Sequence, residues 1–183
     1  MLLLLCLTTN VAASASILPE VRVEVNRKSS VYFLNASFNT SLSKCAAYNY
    51  LTDYEAARNL PGVIESIALR EEENRVKVSR TADERVLFFH VRLHSTLEYT
   101  EMPNDRISFK QLQGDSRLFQ GSWNIAATDK GSTLSFQGVW EPDTVIPLFV
   151  IDYFAKNGLA DKFSAIAQLA EQRKEIATSR CKN

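Results

Sequence analysis

Leu118 to Glu171 reads LFQGSWNIAATDKGSTLSFQGVWEPDTVIPLFVIDYFAKNGLADKFSAIAQLAE, and the hydrophobic period changes once within it. Up to Trp140 the residues alternate as in half-buried strands, broken at Asp129-Lys130-Gly131, which has turn chemistry. Two antiparallel strands are therefore predicted, Leu118–Ala127 and Thr133–Glu141. Beyond Pro142 the spacing turns helical. Leu159, Phe163, Ile166, Ala167 and Ala170 form an apolar stripe, with Asp161, Lys162, Gln168 and Glu171 off it. Asp143 or Thr144 can cap a helix beginning at Val145 with Pro147 in its first turn, and Asn157-Gly158 interrupts it. Arg173, Lys174 and Arg180 near its end complement the helix dipole.

Upstream, Val21, Val23 and Val25 alternate with Arg22, Glu24 and Asn26, and Arg27-Lys28-Ser29 turns the chain into a second strand, Val31 to Phe38. Thr40 and Ser41 can cap a short helix on which Leu42, Cys45, Ala46 and Asn49 recur at helical spacing. Thr52-Asp53-Tyr54-Glu55 has the form of a capping box, so a second short helix carrying Ala56, Ala57 and Leu60 is expected, stopped by Pro61-Gly62. Strands follow at Ile64–Leu69 and Val76–Ser79 around the polar tip Glu71 to Asn74. Val86 to Glu98 reads as one long strand: Leu87, Phe89, Val91, Leu93 and Leu97 share a face opposite Phe88, His90, Arg92, His94 and Thr96. Pro103-Asn104-Asp105 and Gly114-Asp115-Ser116 then bracket Ile107–Gln113. The order is two strands, two short helices, an antiparallel meander and a long helix, an α+β pattern.

The 183 residues suit one domain, and 45% hydrophobic residues suffice for one core. Lys+Arg and Asp+Glu balance at 21 each, so the wide basic field of a nucleic-acid binder is absent. Residues 1–15 differ from the rest: an apolar run without charge ends in Ala13-Ser14-Ala15, a small-x-small pattern. This predicts a cleaved signal peptide, a mature domain over residues 16–183, and a periplasmic or secreted location. The run is shorter than the about 20 apolar residues a bilayer span needs. Leu4 and Leu5 occupy the positions where a lipid-anchor motif at Cys6 would have small residues, so no stable membrane anchor is expected.

No catalytic constellation is evident. His90 and His94 share a strand face but stand about 13 Å apart, too far to share a metal. With Arg92 between them, they read as solvated surface residues. No cysteine or serine has a neighbouring histidine pattern that would activate it, and no Cys/His spacing suits zinc. Neither a cofactor nor a metal is expected.

Several motifs in this order resemble one family. They are Leu51-Thr52-Asp53-Tyr54-Glu55 with Leu60-Pro61-Gly62-Val63, then Leu118 to Ile125, then Gly131-Ser132-Thr133-Leu134-Ser135-Phe136, with Pro142 and Pro147 leading into the last helix. The chain from about Val21 to Glu171 resembles the polyketide cyclase and coenzyme-Q-binding branch of the START-like, helix-grip superfamily. The resemblance implies a curved antiparallel sheet wrapped around the last helix, a cavity between them, and two short helices closing one end. It implies binding of lipids, quinones or other apolar molecules, with transient membrane contact, and supplies no universal catalytic set. The cavity is then expected to be lined by Leu87, Phe89, Val91, Leu93, Phe109, Phe119, Trp123, Phe136 and Trp140 of the sheet, and Phe149, Tyr153 and Phe163 of the helix. In that arrangement the short helices brace the end of the last helix, so Cys45 and Cys181 can meet in a disulfide.

Three functions follow as expectations. The first is a carrier or sensor of an apolar small molecule. The second is a cyclase or dehydratase on a polyketide-like substrate, which needs a titratable group in the cavity. The third is a module whose concave face grips a partner protein.

Overall fold

The computed structural model describes residues 19–86, 89–143 and 146–181. The expected signal peptide lies outside the described residues. Eight strands form one antiparallel sheet: β1 (Val21–Lys28), β2 (Val31–Thr40), β3 (Val63–Glu72), β4 (Arg75–Val86), β5 (Phe89–Met102), β6 (Arg106–Gly114), β7 (Ser116–Thr128) and β8 (Gly131–Pro142). Their order across the sheet is β1-β2-β8-β7-β6-β5-β4-β3. Strands β3 to β8 therefore each lie beside their sequence neighbour, and β2–β8 is the one junction that links distant segments.

Between β2 and β3 run helix α1 (Lys44–Leu51) and a 3-10 turn (Tyr54–Asn59). After β8 come α2 (Leu148–Tyr153), a π turn (Phe154–Gly158), α3 (Leu159–Gln172) and α4 (Lys174–Ser179). The helix-grip architecture is thus present, and the interruption expected at Asn157-Gly158 takes the form of the π turn. The stripe on α3 does what its spacing predicts, burying Phe163, Ala167 and Ala170.

Three local expectations are corrected. Ser43, not Thr40 or Ser41, caps α1, its hydroxyl accepting from the Ala46 N–H. Thr40 and Ser41 instead donate to Glu171 on α3, at 2.7 Å from Thr40 Oγ1, 2.8 Å from the Ser41 N–H and 2.5 Å from its hydroxyl. Burial works against ionising Glu171, but these hydrogen bonds hold its carboxyl below the usual range. Thr52 and Asp53 form no capping box: the Thr52 hydroxyl donates back to the Tyr48 carbonyl, and Asp53 makes no side-chain cap bond. Asp53 accepts from Arg173 at 2.6 Å and pairs with Arg180 at 3.2 Å, tying the start of the 3-10 turn to both ends of α4. Finally, the last helical segment begins at Leu148, with Pro147 at its cap rather than inside its first turn.

Strand β4 is the largest departure. It continues to Val86, which stands opposite Phe89, so the reading of Val86 to Glu98 as one strand merged the end of β4 with β5. Within β5 the alternation is right: Val91 and Leu93 are half-buried and Leu97 is buried, while Arg92, His90 and His94 face outward.

Cys45 and Cys181 are joined by a disulfide, their Cα atoms 5.9 Å apart. It fastens α1 to the segment after α4, and Asn49 of α1 also donates to the Ala177 carbonyl within α4 at 3.0 Å.

Candidate functional site

The last helix does not lie centrally over the sheet. Segment α3 packs on β1 and β2, and α1 closes against α4, β7 and β8. Segment α3 covers the inner faces of β4 and β5 less closely than those of β1 and β2, and the space between them is taken as the candidate cleft. Side chains that face inward there stay half-open: Ala82 and Glu84 on β4, Val91, Leu93 and Ser95 on β5, Leu159 and Lys162 on α3. At its mouth Lys162 Nζ bonds Glu84 Oε1 at 2.5 Å, spanning helix to sheet.

Aromatic rings form the wall between cleft and core. Phe109 stacks on Phe136 at 5.9 Å between centroids and tilts against Phe119 at 5.0 Å. Trp123 meets Phe136 at 5.1 Å and Phe163 at 5.8 Å, and Phe136 meets Phe163 at 5.2 Å. Tilted and edge-on contacts at these separations are the favoured ones for aromatic pairs. Phe109, Phe136 and Phe163 are buried, whereas Phe119, Trp123 and Trp140 are half-buried. The structure therefore brings most of the expected lining together but grades it: a packed layer below and partly open rings above. The turn of the sheet here depends on Gly121 and Gly138, which stand opposite each other in β7 and β8. A Cβ at Gly121 would fall 2.3 Å from the Gln137 carbonyl oxygen, so no side chain fits.

Two expected lining residues lie elsewhere. Phe149 is 68% exposed and Tyr153 50%, because α2 buries its opposite side, Val150 and Ile151. Starting the helix three residues later than expected does not by itself change its phase; what the sequence hid was which side meets the sheet. Leu87 lies outside the described residues, and Phe89 opens β5.

One end of the cleft is closed by a polar cluster that the sequence reading missed. Glu101 on β5 is 4% exposed, and Arg70 from β3 forks onto it at 3.0 and 3.1 Å. Tyr54 of the 3-10 turn donates to Oε1 at 2.8 Å and Tyr48 of α1 to Oε2 at 3.0 Å. Burial, then the Glu101 charge, pushes the Tyr48 hydroxyl up to about 12, and the same causes raise Tyr54 further. Both phenols are thus held as donors. A buried carboxylate gripped on both oxygens is a structural keystone and has no free site for proton transfer. Across the fold, Asp152 of α2 accepts from Tyr32 at 2.9 Å and pairs with Arg27 at 2.8 Å.

A hollow of about 500 Å³ opens on the other side of the sheet, among Phe33, Asn35, Arg106, Gln120, Ser122 and Gln137. It is a wide, open trough on the convex face, where Asn35, Gln120 and Gln137 mix with Phe33, Val139 and the edges of two glycines. The aromatic surface is on the concave face, and the candidate site is placed there. Among the described residues no group of three or more potential metal ligands comes together, and no helix is long and apolar enough to cross a membrane.

Comparison with known proteins agrees with this fold. Residues 41–163 match the family model described as polyketide cyclase / dehydrase and lipid transport. No curated protein matches. Among solved structures, the STAR-related lipid transfer protein from Xanthomonas axonopodis superposes with a TM-score of 0.67 at 14% identity, over 86% of this chain and 96% of that one. The Zhui aromatase/cyclase from Streptomyces sp. R1128 gives 0.63 at 14% identity, over 78% and 95%. The di-domain ARO/CYC StfQ from the steffimycin biosynthetic pathway gives 0.65 at 14% identity, over 81% of this chain and 52% of that one. The chain thus spans about half the length of that di-domain protein. At these identities the likeness is one of fold.

Proposed function

This chain belongs to the polyketide cyclase / dehydrase and lipid transport family, and on that premise we propose that it binds an apolar small molecule, such as a lipid or quinone, in the cleft between β4, β5 and α3. It acts as a carrier or sensor rather than as an enzyme. The observation that carries this reading is the half-open aromatic and aliphatic lining of the concave face. Removing apolar area from water there stabilises a complex by about 25 cal/mol per Å². The cyclase alternative asks for a free titratable group facing the substrate, and Glu101, the buried carboxylate nearest the aromatic wall, is held by Arg70 and two phenols.

An apolar fluorescent probe should bind with about 1:1 stoichiometry and quench tryptophan emission, since Trp123 and Trp140 both face inward. Ala82→Phe fills the half-open part of the cleft and should weaken the probe by about tenfold or more, with the far-UV spectrum unchanged. Undiminished binding to that variant would place the ligand elsewhere.

We further propose that the protein works outside the cytoplasm, on the strength of the apolar run ending at Ala13-Ser14-Ala15. The bonded cysteine pair fits an oxidising compartment. N-terminal sequencing of protein from its own host should begin at Ser16; an intact Met1 or a lipid on Cys6 refutes export by this route.

A further inference from the structure

Among the described residues, the inward-facing charges on β3, β4 and β5 are paired with one exception. Arg70 neutralises Glu101 and Lys162 neutralises Glu84. Arg80, on the inner face of β4, makes no ion pair among the described residues. It is half-buried, two positions along the strand from buried Val78 on one side and from Ala82 on the other. Its inward direction is fixed by its one side-chain hydrogen bond, from Nε to the Ser66 hydroxyl at 3.3 Å. Ser66 is itself 7% exposed and spends its own hydrogen on the Tyr54 carbonyl at 2.7 Å. The stem of the guanidinium is thereby held, and both of its terminal nitrogens are without a partner among the described residues. Ser66 and Ser95 flank Arg80 from the neighbouring strands, so the stripe across the sheet is polar while Val78, Leu97, Ala82 and Leu93 on either side of it are apolar.

We propose that the cleft selects an amphiphile bearing one carboxylate, its hydrocarbon against the apolar lining and its carboxylate on the Arg80 fork. The inference rests on the cleft being the ligand site. With its stem held by Ser66 and no counter-charge among the described residues, the guanidinium is pre-positioned to take an anionic ligand. A planar guanidinium with two free nitrogens matches a carboxylate in bidentate geometry, and such charge-assisted bonds are about twice as strong as neutral ones. A neutral lipid or an ester leaves the charge unmet.

The test is a titration of the intact protein at neutral pH with a naturally fluorescent long-chain fatty acid and, separately, its methyl ester. The acid should bind wild type about tenfold more tightly or better. Arg80→Met should weaken the acid to the level of the ester and leave the ester unchanged. Arg92→Met, which removes a 63% exposed side chain on the outer face, should keep the preference. Equal binding of acid and ester to wild type overturns the inference while leaving the cleft as the site. A preference that persists in Arg80→Met overturns it too. If neither ligand binds, the cleft reading falls and the inference with it. The wild-type comparison decides without any variant, so poor folding of Arg80→Met does not shelter the idea.

Discussion

Replacing Phe136 with alanine should lower the free energy of unfolding by about 3–5 kcal/mol. The ring is 7% exposed and lies among Phe109, Trp123 and Phe163, each within 6 Å between centroids. Gly138 closes the remaining side, since a Cβ there would stand 2.8 Å from the ring. Neighbours so tightly set collapse only in part when a ring is removed, and the cavity that remains adds to the lost transfer energy. A urea titration reads the effect as a lower midpoint at unchanged slope. A loss below about 1 kcal/mol with altered probe binding would instead show that Phe136 faces the ligand space directly, as the sequence reading supposed.

Breaking the Cys45–Cys181 bond should cost about 2–5 kcal/mol. The bond joins residues 136 apart, and in the chain-entropy account so long a loop greatly restricts the unfolded ensemble. Cys45→Ala combined with Cys181→Ala should lower the melting temperature, and reduction of wild type should lower it to about the same point. Thiol counting on denatured, unreduced mature protein should give none. Two free thiols, or a melting temperature indifferent to reductant, would remove the bond from the account of stability.

What the sequence made legible was whatever is fully packed. Strands β1, β2 and β8 and the stripe on α3 alternate between a wetter and a more buried face, so their periods are clean. The second half of β4 was lost because its inner face turns toward the cleft rather than into core. Arg80, Ala82 and Glu84 stand where core residues would otherwise alternate, and Thr81, Asp83 and Arg85 lie between them. A run polar on both faces reads as loop, so the site itself erased the signal that would have found it. The Glu101 cluster was hidden for another reason. Its four members come from α1, the 3-10 turn, β3 and β5, and each alone reads as an ordinary surface or core residue. The glutamate does break the inward alternation of Leu97 and Tyr99, which was the one available hint. Phe149 and Tyr153 failed differently: aromatic rings on a short helix were assigned to the interior, yet Val150 and Ile151 meet the sheet.

The single long-range junction in the sheet also sets a timetable for the newborn chain. Synthesis runs from the amino end, and the β1–β2 hairpin is finished when β8, the strand it joins in the sheet, has yet to be made. From β3 onward each strand finds a partner as soon as the next turn is complete, so that part can zip up in order of appearance. The first hairpin cannot join it until Gly131 to Pro142 arrive and pair with β2, and its inner face, Phe38 included, is fully covered only when α3 follows and packs on it. Cys45 waits longer still, as a free thiol, because its partner stands 136 residues further along the chain, beyond β8 and the last helices.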